Sequence, residues 1–306
     1  MTVLSLPALD GRTPLGFLAA LGLTRLLDVH TGDSPRLAWS SADYTAQLHT
    51  TRTSIDAVVA DLRNVVDSIP DGGVLPGVSV NMPPPGEAPD KLRLSPPALK
   101  VLVKDLTPEP DTEVEAWLTS LVTDLSLDDK ARADISMMAA PSGKQSMRTM
   151  LEKPLKLVRE NPGCLAEALV GWRRRPSVSG EYLDHRVLFD GADSGTGKSE
   201  ERGVPGATWL ALMSYPLLRT TAQGAEPVTT GWHRGYRQPP LFVYPLWEAA
   251  LDSYAVVALL EHPLMLGCLR GELPPGAEAL HIFAVSRAQR RRIPGRTFAG
   301  VLGPVP

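Results

Sequence analysis

Cysteine is almost absent from this sequence of 306 residues, and its shortage excludes two kinds of architecture. Cys164 and Cys268 stand far apart, with no CxxC pair and no neighbouring histidine pair. A disulfide framework needs several paired cysteines, and a structural zinc site needs clustered thiolate or imidazole ligands. We therefore predict no metal and no cofactor, and we interpret both thiols as small core residues.

Long apolar runs are also missing, since none reaches the roughly 18 to 20 residues that a membrane-spanning helix needs. The longest candidate, PLGFLAALGLTRLL, contains Arg25 and two glycines and is typical of a buried helix. The first residues, MTVLSLPALDGR, have neither a basic start nor a cleavage site of the secretory type. We expect a protein without membrane contact, located in the cytoplasm.

Recognisable catalytic motifs are missing as well. The six histidines are scattered without HExxH or HxH spacing, and no GxSxG turn offers a nucleophile. Asp184 and His185 are adjacent, but a hydrogen bond at a strand edge is a simpler interpretation than an acid–base pair. We predict that the protein is not an enzyme.

One stretch has the letters of a phosphate-binding loop: GADSGTGKSEERGVPG, residues 191–206, in which a serine follows Lys198. A working loop needs a preceding strand, which RVLFD could supply, and a following helix whose first amides face the phosphates. The residues after Lys198 have no apolar face and reach Gly203 and Pro205 within about two helical turns. A nucleotide hydrolase using Lys198 stays an alternative, and a surface loop that meets a nucleic-acid backbone is preferred.

Charge is unevenly distributed, although the net charge is only −3. Residues 1–130 contain 10 Lys and Arg against 18 Asp and Glu, whereas residues 131–306 contain 21 against 16. Residues 70–97 are rich in Pro and Gly, which marks a long loop or a boundary. We predict an α+β fold of mixed helices and small antiparallel sheets in two packed subdomains. The first, 1–97, is an acidic α/β subdomain, and the second, 98–306, is a basic α+β subdomain that contacts nucleic acid.

Four segments of the basic part place cations beside glycine, amide or aromatic side chains. PSGKQS follows the apolar run ISMMAA, which favours a buried strand, and precedes a helix predicted to start near Ser146, whose first amides would add to an anion site. WRRR stands at a predicted helix end, and GWHRGYRQ in a glycine-flanked loop. RAQRRRIPGR is typical of a solvated terminal tail.

Each segment therefore has an ordinary interpretation beside a functional one. A glycine lets a backbone approach a phosphate, Lys and Arg neutralise that phosphate, and an aromatic ring stacks on a base. The ordinary alternatives are a solvated turn, a helix end favoured by the helix dipole, a loop anchored by its rings and a disordered tail. The candidate DNA- and RNA-contacting residues are Lys144, Gln145, Arg148, Arg173, Arg174, Arg175, Lys198, Trp232, Arg234, Tyr236, Arg237, Arg290, Arg291 and Arg292.

Three stretches in order along most of the chain are similar to a protein family encoded in bacterial type I CRISPR loci of subtype I-U or I-G. They are LDGRTPLGFLAALGLTRLL (residues 9–27), ISMMAAPSGKQS and GATWLALMSYPLLRTT…TTGWHR. Members of this family resemble the large subunit of the RNA-guided surveillance complex, Cascade. The resemblance implies a non-catalytic subunit that contacts the protospacer-adjacent motif, helps to open the duplex and helps to recruit a helicase–nuclease. Guide RNA then reads sequence by base pairing while protein reads groove and backbone.

The resemblance also implies the partners: the other subunits of the guide RNA ribonucleoprotein, double-stranded target DNA and the helicase–nuclease. At 306 residues the chain is short for a large subunit that includes a C-terminal helical bundle, so either another polypeptide supplies that part or the chain is an accessory protein of the locus. A scaffold that touches only protein partners stays an alternative. The DNA contacts implied are Lys144, Gln145, Arg148, Trp232, Arg234, Tyr236 and Arg237.

Overall fold

The computed structural model describes residues 1–139, 145–190, 200–234, 239–292 and 300–305. Its α-helices are α1 (Pro14–His30), α2 (Ile55–Ser68), α3 (Pro96–Leu106), α4 (Thr112–Leu121), α5 (Met147–Glu160), α6 (Gly163–Val170), α7 (Pro205–Met213) and α8 (Ser253–Leu260). Its strands are β1 (Thr2–Asp10), β2 (Arg36–Trp39), β3 (Thr45–Thr50), β4 (Val122–Leu127), β5 (Ala133–Ile135), β6 (Arg175–Pro176), β7 (Arg202–Gly203), β8 (Thr220–Gln223), β9 (Glu226–Thr229), β10 (Trp232–His233), β11 (Leu241–Trp247), β12 (Ile282–Arg292) and β13 (Gly300–Val305). About 40% of the structure is helix and 24% strand, in small antiparallel sheets, which confirms the α+β prediction.

Helix α1 begins where Thr13 and Pro14 predicted it. The Thr13 hydroxyl accepts a hydrogen bond from the Gly16 amide at 3.1 Å, and Pro14 occupies the first turn, where its missing N–H is not needed. Apolar side chains occupy every face, and residues 14–27 are all buried. The all-round apolar pattern thus predicted the central helix of the core correctly.

Glycines allow the central helices to cross at very short range. A Cβ on Gly22 of α1 would lie 1.7 Å from the carbonyl oxygen of Leu210 in α7. A Cβ on Gly206 of α7 would lie 2.0 Å from the carbonyl oxygen of Cys164 in α6. The three helices therefore pack backbone to backbone, and α7 is buried along its whole length.

Antiparallel sheets flank these helices. The two larger ones have the strand orders β1–β3–β2 and β10–β11–β12–β13, and the pairs β4–β5, β6–β7 and β8–β9 are small ribbons. The two larger sheets meet where Leu37 pairs with Leu251 and where the indole Nε1 of Trp247 donates to the Leu37 carbonyl at 2.8 Å. The ring of Phe17 in α1 stacks on that of Tyr244 in β11, with centroids 4.2 Å apart.

The main apolar cluster includes buried residues on both sides of position 97, from Leu6 to Leu302. A buried ion pair also spans that position. Arg25 of α1 is 3% exposed, donates to a carboxylate oxygen of Glu113 in α4 and lies 5.3 Å from the centre of the Trp117 ring. A cation this deep is tolerated because a carboxylate pairs with it. The division of the chain at residue 97 stays a prediction.

The predicted strand LDHRVLFD is wrong, because its centre is a 3₁₀ helix, His185–Leu188. The Asp184 carboxylate accepts a hydrogen bond from the Arg186 amide at 3.1 Å, and this local cap favours a helical turn over a strand. The run ISMMAA is also not a strand along its length, since β5 ends at Ile135.

The arginine-rich segment near the C-terminus is not a solvated tail as far as Arg292. It forms the end of β12, which pairs with β11 and, over residues 287–292, with β13. Charge density predicted solvation, but a strand with a partner on each side places alternate side chains on opposite faces, and one of those faces can be covered.

Candidate nucleic-acid interface

A groove of about 520 Å³ lies among β5, the N-terminus of α5, β10 and β12. Much of its wall is apolar, formed by methionine, proline and isoleucine side chains such as Ile135 and Met150. Among the described residues, four arginines and two glutamines give it polar groups. We call it the arginine groove, and its charged and amide residues are Asp90, Arg93, Arg132, Asp134, Gln145, Arg234, Gln289 and Arg290.

Three of the four predicted basic segments meet in this groove, although they are far apart in sequence. Met138 is the junction. The indole Nε1 of Trp232 donates to the Met138 sulfur at 2.9 Å, and Nη2 of Arg290 donates to the Met138 carbonyl at 2.8 Å. Gln145, which belongs to the segment PSGKQS, lines the same groove. The tertiary fold thus brings together signals that the sequence presents separately.

Arg290 forms a fixed part of the groove wall. Besides its bond to Met138, Nη1 donates to the Gly300 carbonyl at 3.0 Å, and the guanidinium lies 5.9 Å from the centre of the Trp232 ring. Burial lowers the pKa of Arg290 to about 10, so the group is still a cation at neutral pH. Arg291 and Arg292 are exposed and do not line the groove, and Arg291 donates to the Pro304 carbonyl.

Trp232 and Arg234 differ in accessibility. The Trp232 ring is 3% exposed and packs against Phe242, which agrees with the alternative that this loop is anchored to the core by its aromatic residue. The Arg234 side chain is 36% exposed and forms an ion pair with Glu226 at 3.2 Å. Tyr236 and Arg237 lie outside the described residues, as does Lys144.

Gln145 precedes a well-capped helix. Ser146 and Thr149 form a capping box, with the Ser146 amide donating to the Thr149 hydroxyl at 2.8 Å, so α5 begins as predicted. Both polar atoms of the Gln145 amide are buried and have no hydrogen-bond partner among the described residues. Such an amide has a donor and an acceptor to offer to a ligand.

Arg148 is placed away from solvent, against the Pro- and Gly-rich loop. Its guanidinium donates to the carbonyls of Val80 at 2.7 Å and Pro83 at 3.1 Å, and also to that of Gly72. Burial lowers the pKa of Arg148. Because its guanidinium donates to three carbonyls of this loop, Arg148 holds the loop against α5.

The WRRR segment lies beyond its helix, since α6 ends at Val170. Arg174 pairs with the buried Asp184 at 3.0 Å and with Asp190 at 2.5 Å, and Arg175 pairs with Glu167 at 2.9 Å. The segment thus begins two residues after the last residue of the helix, and these two cations already have carboxylate partners. Arg173 is exposed.

Lys198 lies outside the described residues, but its surroundings are described. The preceding segment holds the 3₁₀ helix instead of a strand, and in the described residues that follow, from Glu200 on, the first helix is α7, which starts at Pro205. Glu200 and Glu201 are irregular, and Arg202 belongs to β7. The strand-to-helix frame that a phosphate-binding loop requires is not formed by these flanking residues.

Sequence reasoning missed Arg93 and Arg132, which complete the groove. Arg93 lies 3.4 Å from Asp134 and 3.7 Å from Asp128, and Arg132 lies 2.7 Å from Asp128. The hydrogen bond from Arg132 lowers the pKa of Asp128 to about 2. Neither arginine belongs to a basic run, so no local pattern marks them.

The described residues contain neither a metal-binding cluster nor a membrane-spanning helix. Among the described residues, no group of three or more His, Cys, Asp or Glu side chains is arranged to hold a metal ion. None of the described helices combines the length and the apolar character needed to cross a membrane. No protein-family model matches the chain, and no curated protein is significantly similar to it.

Proposed function

We propose that this chain is a non-catalytic, DNA-contacting subunit of a type I CRISPR RNA-guided surveillance complex. In this role it contacts the duplex at the protospacer-adjacent motif, helps to open it and helps to recruit the helicase–nuclease. The proposal joins the sequence resemblance to the properties of the arginine groove, which is where we place the DNA.

The observation that carries the proposal is the convergence of Gln145, Arg234 and Arg290 on one groove. Lys and Arg contacts to phosphates supply most of the affinity of proteins for nucleic acid, and side-chain amides read base edges. The groove offers both kinds of group within one apolar cleft, which suits bases that have left the duplex stack.

The ion pairs at the groove's edge do not block this role. Arg234 and Glu226 are partly exposed, with side-chain exposures of 36% and 62%. Exposed ion pairs are worth only about 0 to 1 kcal/mol, so a phosphate can replace the carboxylate at little cost. Arg290, by contrast, is held by carbonyl groups and contributes a cation of fixed position.

The experiment compares R234Q with R219Q in the reconstituted complex. Arg219 is a matched control because it is exposed and ion-paired with Glu261 at 2.8 Å but does not line the groove. Binding to a duplex target is measured over a range of salt concentrations. We expect R234Q to weaken binding by about threefold to tenfold and to reduce the slope of log affinity against log salt by about one, with R219Q unchanged.

Other outcomes would favour the alternatives. Equal losses for R234Q and R219Q would contradict the groove as the DNA site. If neither the chain nor its complex shows salt-sensitive binding to nucleic acid, a protein-only scaffold is favoured. A nucleotide-stimulated hydrolysis that K198A abolishes would favour the hydrolase.

A further inference from the structure

A second cavity, of about 760 Å³, lies between α5 and the segment Ser177–Tyr182, and of its described lining residues only Gln145 also lines the arginine groove. Among the described residues, five glutamates and two lysines line it, so the charge of this part of the lining is opposite to that of a phosphate site. We call it the carboxylate cavity, and its acidic and basic residues are Glu87, Lys153, Lys156, Glu160, Glu181, Glu200 and Glu201.

Glu181 is the exceptional member of this set. Its side chain belongs to a residue only 2% exposed, and one oxygen, Oε1, accepts from the Ser179 hydroxyl at 3.2 Å. The other oxygen, Oε2, is shielded from water and has no hydrogen-bond partner among the described residues. A buried carboxylate oxygen without a donor loses its hydration with nothing in exchange.

Burial raises the pKa of Glu181 to about 7, although the charge of Lys153 acts in the opposite direction. Near neutral pH the carboxyl is therefore divided between its charged and uncharged forms, and any cation that reaches it will favour the charged form. The titratable groups that line the cavity or interact electrically with Glu181 are Lys153, Lys156 and Glu160 of α5, Glu87, Glu200 and Glu201 of the neighbouring loops, and Tyr182 and Tyr215.

The backbone around Glu181 is held in an unusual conformation. Glu181 and Tyr182 have φ angles of 48° and 59°, directly after Gly180 at 57°. Left-handed conformations in non-glycine residues cost of order 1 kcal/mol or more each and concentrate at functional sites. The backbone of Gly203 packs closely against this segment, since a Cβ there would lie 2.9 Å from the Gly180 nitrogen.

We propose that the carboxylate cavity binds a small organic cation with a primary ammonium group, and that Glu181 is its buried counter-ion. The ammonium donates to the Glu181 carboxylate and so supplies the hydrogen bond that Oε2 lacks. The other glutamates give the cavity a negative field that attracts the same charge. A phosphate or carboxylate ligand would meet an excess of negative charge from the described lining residues, which include five glutamates and two lysines.

Binding must then depend on pH in a defined direction. The ammonium pairs with ionised Glu181, so affinity is highest above pH 7 and falls as Glu181 becomes protonated. For a single group with a pKa of about 7, affinity falls about tenfold between pH 8 and pH 6, and the complex releases protons when it forms near pH 7.

The test uses putrescine as the cation and 1,4-butanediol as a neutral compound of the same length. Calorimetry with the full chain at pH 8 is expected to show binding of putrescine only, with about tenfold weaker binding at pH 6. Titrations near pH 7 in two buffers of different ionisation enthalpy will report the released proton.

Two variants separate Glu181 from the general charge of the cavity. E181Q keeps the size of the side chain and is expected to weaken putrescine binding at least tenfold and to abolish the pH dependence. E160Q removes an exposed carboxylate of the same cavity, 58% exposed, and is expected to lower affinity less than threefold with the pH dependence intact.

Several results would overturn the proposal. They are a failure of wild-type protein to bind putrescine at millimolar concentrations at pH 8, equal binding of 1,4-butanediol, and unaltered binding by E181Q. Thermal unfolding of each variant is measured in parallel, so that loss of binding is counted only for a folded protein.

Discussion

The guanidinium of Arg290 lies 5.9 Å from the centre of the Trp232 ring, and both side chains donate to Met138, one to its carbonyl and one to its sulfur. The pair joins β12, β10 and the segment after β5 at the wall of the arginine groove. A residue that the charge pattern placed in a tail is thus a structural part of the candidate site.

R290A is expected to destabilise the fold by about 2 to 4 kcal/mol. It leaves the carbonyls of Met138 and Gly300 without this donor and opens a space beside Trp232. Urea unfolding monitored by tryptophan fluorescence measures the change. R292A, at an exposed position on the same strand, should change stability by less than about 0.5 kcal/mol. Equal effects would show that Arg290 does not support the groove.

R148A is expected to lower the free energy of unfolding by about 3 kcal/mol, because it removes the guanidinium that donates to three carbonyls of the Pro- and Gly-rich loop. Hydrogen exchange should show faster exchange in residues 72–83 in the variant than in wild type. R173A, an exposed arginine, is the control for loss of charge. Undisturbed exchange in the loop would contradict the role assigned to Arg148.

D184N tests the buried cluster that Asp184 forms with Arg174 and Arg186. Burial alone would raise the pKa of Asp184, but the hydrogen bond from Arg186 and the charges of both arginines lower it below its usual value. The cluster therefore stabilises the fold above about pH 4 and loses this effect as pH falls through the lowered pKa. We expect D184N to lower the free energy of unfolding by about 3 kcal/mol at pH 7 and by progressively less at lower pH. D67N, on an exposed face of α2, should follow wild type at every pH.

The raised pKa of Glu181 predicts the opposite dependence of stability on pH. Because its pKa is raised to about 7, its uncharged form stabilises the fold at low pH, and that stability is lost as pH rises from about 4.5 to about 7. E181Q should therefore be more stable than wild type by about 3 kcal/mol above pH 7, with the difference shrinking toward pH 5. Melting temperatures across this pH range measure it, with E160Q as the exposed control. Parallel curves for wild type and E181Q would show that Glu181 titrates normally.

G22A tests the crossing of α1 and α7. The added methyl group would meet the Leu210 carbonyl at 1.7 Å, which backbone can relieve only by moving a helix. We expect the free energy of unfolding to fall by more than about 3 kcal/mol, or the protein to fail to fold. G171A adds the same group where nothing lies within 4 Å, so its effect should be small. A stable G22A protein would show that the helices can separate at low cost.

Part of the candidate site could be predicted from sequence and part could not. The segments containing Gln145, Arg234 and Arg290 stand out because cations occur there beside amide or aromatic residues. Arg93 and Arg132 carry no such local mark, because their position in the groove depends on how the loop before α3 and strand β5 pack against α5. Glu181 was also missed, since a single glutamate shows its burial only in three dimensions.

The sequence by itself determined the α+β class, the central helix α1 and the start of α5, because caps, helical periodicity and apolar composition act within a few neighbouring residues. Tertiary structure alone decided which arginines face solvent and which serve the core, as in Arg148, Arg174 and Arg290. A guanidinium looks the same in every segment of the chain. Whether it meets a carbonyl, a carboxylate or water depends on residues far away in sequence, which only the folded chain brings together.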